Sequence, residues 1–226
     1  MEAYTTEDEQ LAAIKKWFQE NSRWIVMAVG VFLLVFFGKK FIENQQIQKS
    51  QAVFSSYQEV TELRSKFLDL PEETSEENRT TSLNAYLKAL DELKDTSSQH
   101  QLTELAVLSA AAVFVNEKDY DAAETELRWL LDKGVADEIQ DLVNLRLGQV
   151  LLQKSQYDEA ASILEGIVGE DHGYQQRVLE LLGDVYVLQG KKAKALEVYT
   201  QSMAKMSATS SNTALLWKID DLAEAK

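Results

Sequence analysis

Hydrophobic positions recur along most of this chain at spacings of three and four, the period of a helix laid against a core, and not with the alternation of a strand. One stretch breaks the pattern. From Trp24 to Phe37 the sequence WIVMAVGVFLLVFF is apolar at fourteen consecutive positions. That is short of the roughly 20 residues that cross a bilayer as a helix. Carried through Gly38, Lys39 and Lys40 to Phe41 and Ile42, the stretch reaches nineteen residues. The two lysines can run their stems along the apolar surface and place their ammonium groups among lipid headgroups. Trp24 beside Arg23 at one end, and the lysine pair at the other, are the residue types found at membrane interfaces. A buried core helix would carry a polar stripe, which is missing here. A cleaved signal peptide would end on small residues, whereas Gly38, Lys39, Lys40 and Phe41 follow the run. Residues 23–42 are therefore expected to form a membrane anchor, with Trp24, Val31, Leu34 and Phe37 available to a partner within the bilayer.

On the N-terminal side, Leu11, Ile14 and Phe18 predict a short amphipathic helix between Glu7 and Asn21, within a tail comprising residues 1–22. On the other side, Ile47 to Phe67 reads as a long connecting helix. Pro71 and an acidic linker through Asn78 follow it, so that residues 43–80 join the anchor to the rest. A further helix is predicted over Ser82–Lys94.

Residues 81–226 contain three copies of a two-helix pattern, offset by 37 and then 35 residues. The clearest copy runs Leu179, Leu182, Gly183, Tyr186, Gly190, Ala195, Tyr199. The preceding one carries Leu147, Gly148, Leu151, Tyr157, Ala160 and Leu164, and the first carries Ala110, Ala111, Phe114, Tyr120, Ala123 and Leu127. The order of large residue, Leu-Gly, aromatic, turn glycine, alanine and aromatic resembles the tetratricopeptide repeat. The fold expected is all-α: one N-terminal transmembrane helix followed by a tetratricopeptide-like α-solenoid. Ala214–Leu222, beyond a serine-rich loop at Met206–Asn212, would be its capping helix, with Leu215, Trp217 and Ile219 covering the last apolar face.

In such arrays the first helix of each repeat lines a concave groove. The register places Leu105, Leu108, Ala112 and Val115 there in the first copy, and Leu142, Leu145, Gln149 and Leu152 in the second. Arg177, Glu180, Asp184 and Val187 follow in the third, where a solvated surface is expected. A groove greasy at one end and charged at the other fits an apolar helix or an unfolded segment of a partner. Alternatively, the Ser82–Lys94 helix folds into it.

One proline and nine glycines leave few helix breaks, and the absence of cysteine excludes disulfides and thiolate metal sites. The formal charge is −14, and residues 1–42 hold five basic and five acidic side chains, so the whole excess lies beyond them. An acidic body repels nucleic acid, which excludes that partner class. Lys15, Lys16 and Arg23 balance Lys39, Lys40 and Lys49 across the span, and orientation cannot be read from charge. A short tail without an export signal of its own stays in the cytosol, which puts the large C-terminal part outside.

Chemistry is sparse. His100 and His172 lie 72 residues apart in no zinc-type spacing. Glu170, Asp171 and His172 sit beside Gly169 and Gly173, a pattern read as an inter-repeat turn. No nucleophile elbow, Walker or dinucleotide-binding glycine pattern occurs. The expectation is a binding protein with no catalytic residue, cofactor, metal or small-molecule substrate.

The stretch EDEQLAAIKKWFQENSRW, from Glu7 to Trp24, followed at once by the apolar run and then by repeats, resembles the YfgM family of bacterial inner-membrane proteins. Glu9, Gln10, Ala13, Lys15, Phe18, Glu20 and Asn21 carry the likeness, with Leu145, Arg146 and Leu147 in the repeats. The resemblance implies an N-terminal anchor with the repeats in the periplasm, association with the SecYEG translocon and the membrane-anchored chaperone PpiD, and help to unfolded exported proteins. Two other readings share this architecture: an assembly factor for another envelope complex, and an envelope-stress regulator acting through its cytosolic tail.

Overall fold

A computed structural model describes residues 7–169, 173–205 and 212–224, and among them every regular element is helical. The elements are α1 (Glu7–Leu68), α2 (Glu76–Ser97), α3 (Gln101–Asn116), α4 (Tyr120–Lys133), α5 (Asp137–Gln153), α6 (Tyr157–Ile167), α7 (Gln175–Leu188), α8 (Lys192–Ala204) and α9 (Thr213–Glu224). The fold is all-α, as the periodicity requires. The chain divides into two compact units, one ending at Ala52 and the other beginning at Val53.

Among the described residues the first unit is a single helix, the N-terminal part of α1. The tail helix expected to end near Asn21 does not end there, since Gln19 to Arg23 contains neither glycine nor proline and α1 runs on without interruption. Between Trp24 and Phe37 none of its side chains is buried. Nineteen helical residues span about 28 Å at 1.5 Å each, close to the roughly 30 Å of a hydrocarbon core. The helix is thus long and apolar enough to cross a membrane, and its exposure removes the buried-core alternative.

The second unit starts from the end of α1, where Val60 and Phe67 enter the apolar cluster that also holds Tyr86, Leu90 and Leu93 of α2. The acidic linker read through Asn78 is shorter than expected, because α2 begins at Glu76. The Ser75 hydroxyl accepts the Asn78 amide at 3.4 Å, and Glu76 and Glu77 suit the positive end of a helix. Thereafter α3/α4, α5/α6 and α7/α8 form three successive helix pairs, and α9 packs on α8. Caps fix several starts: His100 Nδ1 accepts the Leu102 amide, Asp119 that of Ala122, and Asn212 that of Leu215. The rest of the serine-rich loop, residues 206–211, lies outside the described residues.

Within a pair the two helices cross closely at the glycine of the repeat. A Cβ on Gly148 would stand 2.8 Å from a Leu164 methyl, and one on Gly183 only 2.2 Å from the Tyr199 ring. The turn between the helices also repeats. Lys118, Ser155 and Gly190, at matching positions of the three copies, all adopt left-handed backbone, with φ of 61°, 58° and 74°. Only the last has the glycine that makes this conformation free of steric cost.

The residue just past each first helix reaches back to the helix that precedes it in the chain. Glu117 accepts from Arg79 at 2.5 Å, Lys154 donates to Glu124 at 2.6 Å and bridges to Asp121, and Gln189 donates to Asp158 at 2.8 Å. The position is kept while its chemistry changes from acid to base to amide. Arg128 extends the middle contact by joining Glu124 to Glu159. Burial alone would raise the Glu124 carboxyl, but the donors on Lys154 and Arg128 outweigh it and hold it below its ordinary 4.5.

In α9, Leu215 and Leu222 are buried and Ile219 is half-buried, as a cap requires, but Trp217 is 71% exposed. One turn of helix cannot present both Leu215 and Trp217 to the same surface, so the indole lies off the capping face, contrary to the sequence expectation.

Gly183→Ala should lower the free energy of unfolding by about 1–3 kcal/mol in urea titrations, because the Tyr199 ring is buried and has no room to withdraw. Glu124→Gln should be less stable than the parent at pH 7. With its folded pKa below 4.5, the carboxylate contributes fully above that value, and the contribution is lost as pH falls through the lower folded value. The gap between parent and variant should therefore close on acidification below about 4.5, in unfolding curves collected from about pH 7 to about 3.

Candidate protein-binding groove

The first helices of the three pairs, α3, α5 and α7, jointly line a groove of about 770 Å³. Spacing places its wall: residues three and four apart on a helix share a face, and the 37-residue offset puts the same face forward on the next helix. Of the expected residues, Leu105, Leu108, Ala112 and Val115 on α3 and Leu142, Gln149 and Leu152 on α5 all line it. Leu105 is 45% exposed, a large apolar side chain with no covering neighbour on that side.

Leu145 is the exception. It is only 3% exposed and does not line the groove. Helix α5 is the middle first helix, packed against α4, α6 and α7, and the position is buried there, whereas its counterpart Leu108 on α3 is half-buried. In the third copy Arg177 and Asp184 line the groove as expected. Glu180, expected to be solvated, is 8% exposed: Lys218 of α9 stands 3.3 Å from its carboxylate and Arg177 likewise.

The groove is not filled by the upstream helix. No residue of α2 lines it. Instead α2 packs on α3, and its Lys94 reaches α4, the ammonium sitting 2.9 Å from Glu126 and 4.9 Å from the Trp129 ring centre.

Arg146 was not among the expected lining residues, though it carries part of the family likeness. Its exposed guanidinium donates to Gln149 Oε1 at 3.0 Å. The helical register would have found it, since it lies four residues beyond Leu142. Asp184 accepts from the Tyr199 hydroxyl at 2.6 Å and from Lys218 Nζ at 2.7 Å. Burial, reinforced by the bond to Asp184, pushes the Tyr199 hydroxyl far above the usual tyrosine range, so it remains a neutral donor.

The second set of expected residues lies on the first unit. Trp24, Val31, Leu34 and Phe37 are all exposed on α1, within about 140° of its circumference at 100° per residue. Among the described residues no cluster of three potential metal ligands occurs, and His100 serves as a helix cap. Glu170, Asp171 and His172 lie outside the described residues.

A family model described as a tetratricopeptide repeat-like domain matches residues 15–224. A protein of Neisseria gonorrhoeae named ancillary SecYEG translocon subunit is 29% identical over 224 residues, covering 98% of this chain and 100% of that protein. Proteins of the same name from Escherichia coli and Aggregatibacter actinomycetemcomitans are each 27% identical, covering 98% and 91% of this chain and 99% and 93% of theirs. The likeness read from residues 7–24 thus extends over nearly the whole length. Among solved structures, one from a functional characterization of Pseudomonas aeruginosa pilF superposes with a TM-score of 0.55 at 20% identity, covering 79% of this chain and 70% of that one. That likeness is one of fold.

Core and groove positions should separate in stability. Leu145→Ala should cost about 2–5 kcal/mol in chemical unfolding, whereas Leu105→Ala should stay within roughly 1 kcal/mol of the parent. Equal losses at the two positions would contradict an open groove beside Leu105.

Proposed function

The chain belongs to the tetratricopeptide repeat-like domain family, and from that premise we propose that it is a membrane-anchored protein-binding scaffold of the bacterial inner membrane, associated with the SecYEG translocon. It is not an enzyme. In this reading residues 1–22 are a cytosolic tail, 23–42 the single span, 43–80 the connection and 81–226 the repeat domain, which works in the periplasm. The span, through Trp24, Val31, Leu34 and Phe37, contacts membrane-embedded partners, namely the translocon or PpiD. The groove holds apolar segments of exported proteins that have not yet folded.

The observation that carries the proposal is the open apolar wall formed by Leu105, Leu108 and Val115 with Leu142 and Leu152. An apolar surface left uncovered in a folded domain marks a site for a partner. The names borne by the relatives supply the translocon as the place where that partner is met. Retention of newly exported segments beside their exit channel needs only two things, an anchor in the bilayer and a groove that accepts many apolar sequences. Half-exposed leucines on a rigid helical scaffold provide the second, because dispersion and apolar burial discriminate weakly between sequences.

Photo-crosslinking in cells tests both halves. A photoreactive residue at Val31 should yield adducts with SecYEG or PpiD, and one at Leu142 should yield many exported proteins. Leu145 is unsuitable because it is buried. Capture of only other envelope assembly components from both positions would overturn the translocon reading. A single dominant adduct from Leu142 would replace the holding role with that of a dedicated scaffold.

A further inference from the structure

The groove does not share the acidity of its chain. With a formal charge of −14, the protein as a whole repels acidic segments at long range. Yet among the described residues the charged side chains lining the groove are two arginines, Arg146 on α5 and Arg177 on α7, and one carboxylate, Asp184. That carboxylate is already engaged by Tyr199 and Lys218. Glu180 behind it takes Lys218 and shares Arg177. Arg146 differs, because the partner of its guanidinium is the neutral amide of Gln149. The apolar and cationic parts are also ordered: α3 contributes Leu105, Leu108 and Val115, while both arginines come from α5 and α7.

We propose that the groove selects a protein segment whose apolar face is followed by an acidic side chain, the apolar face lying against α3 and the carboxylate being received by Arg146, with Arg177 as the second cation. The proposal rests on the reading that the groove binds apolar protein segments, and it specifies their charge. A guanidinium presents paired donors that match a carboxylate, and such charge-assisted bonds are about twice as strong as neutral ones. Because Arg146 is exposed, its contribution is screened by salt. The selection acts against the long-range field of the chain, which by itself favours basic segments. A preference for acid therefore has to arise locally.

The test uses the full chain in detergent micelles and two fluorescent synthetic peptides of about 15 residues, long enough to form a helix. Both carry leucines along one face; one ends in two glutamates and the other in two lysines. Fluorescence anisotropy at low salt should show the glutamate peptide bound about tenfold more tightly, with the difference shrinking as salt is added. The double variant Arg146→Glu, Arg177→Glu should reverse the preference, with an unchanged helical circular dichroism spectrum. Leu105→Asp should weaken both peptides. If the parent binds both peptides equally, or prefers lysine, while Leu105→Asp still weakens them, the charge selection is wrong and the apolar groove stands. If neither peptide binds, or Leu105→Asp has no effect on binding, the groove reading itself fails and this proposal with it.

Discussion

The close crossing of α5 with α6, and of α7 with α8, is the contact on which the second unit is built. Gly148 against Leu164, and Gly183 against Tyr199, let the backbone of one helix approach the side chains of the other with no intervening Cβ. Such an approach fixes which face of the first helix is turned inward. Its opposite face is then committed to the groove, because a helix has only one circumference to divide between them. A single methyl at Gly183 would therefore affect more than local packing. It would push on a ring that is buried and also holds Asp184, one of the residues lining the groove.

The contacts between pairs answer a different need. Tight crossing sets geometry inside a repeat but leaves each repeat free to slide on the next. The residue just past α3, α5 or α7 reaches back to α2, α4 or α6, and so sets the spacing at the rim of the turn. Because the donor and acceptor exchange sides between the first and second joints, the joints are not interchangeable. Arg79 finds an acid in Glu117, where the equivalent Lys154 would repel it. Order along the array is encoded in these pairs as well as in chain connectivity.

What was legible in the sequence followed from periodicity, and what was not depended on neighbours distant in the chain. Seven of the eight groove positions assigned on α3 and α5 line the groove, because spacing on a helix and a fixed offset between copies are both local arithmetic. Leu145 occupies the same register as Leu108, yet it is buried while Leu108 is half-buried and lines the groove, a difference set by tertiary neighbours that spacing does not report. Glu180 reads as a surface carboxylate until Lys218, 38 residues later, is brought over it. The left-handed turns at Lys118 and Ser155 were hidden because the glycine that advertises such a turn is present only at Gly190. Apolar length identified the span, but the continuity of α1 through residues 19–23 rests on the lack of a breaker, a weaker signal than the presence of one.

Acidity and greasiness, read together, explain how an apolar wall can remain uncovered. A groove lined by Leu105, Leu108 and Val115 invites a second copy of the chain as readily as it invites a client, since apolar burial is not selective. Two copies each carrying a formal charge of −14 repel one another, and the repulsion falls on every encounter between like surfaces. A short client segment carries little charge and escapes most of that penalty. The same field that keeps copies apart would nevertheless turn away clients with acidic residues, unless cations were placed where the client lies. In the proposed reading Arg146 and Arg177 stand where the client would lie, so the acidity that disfavours a second copy need not close the groove to acidic segments.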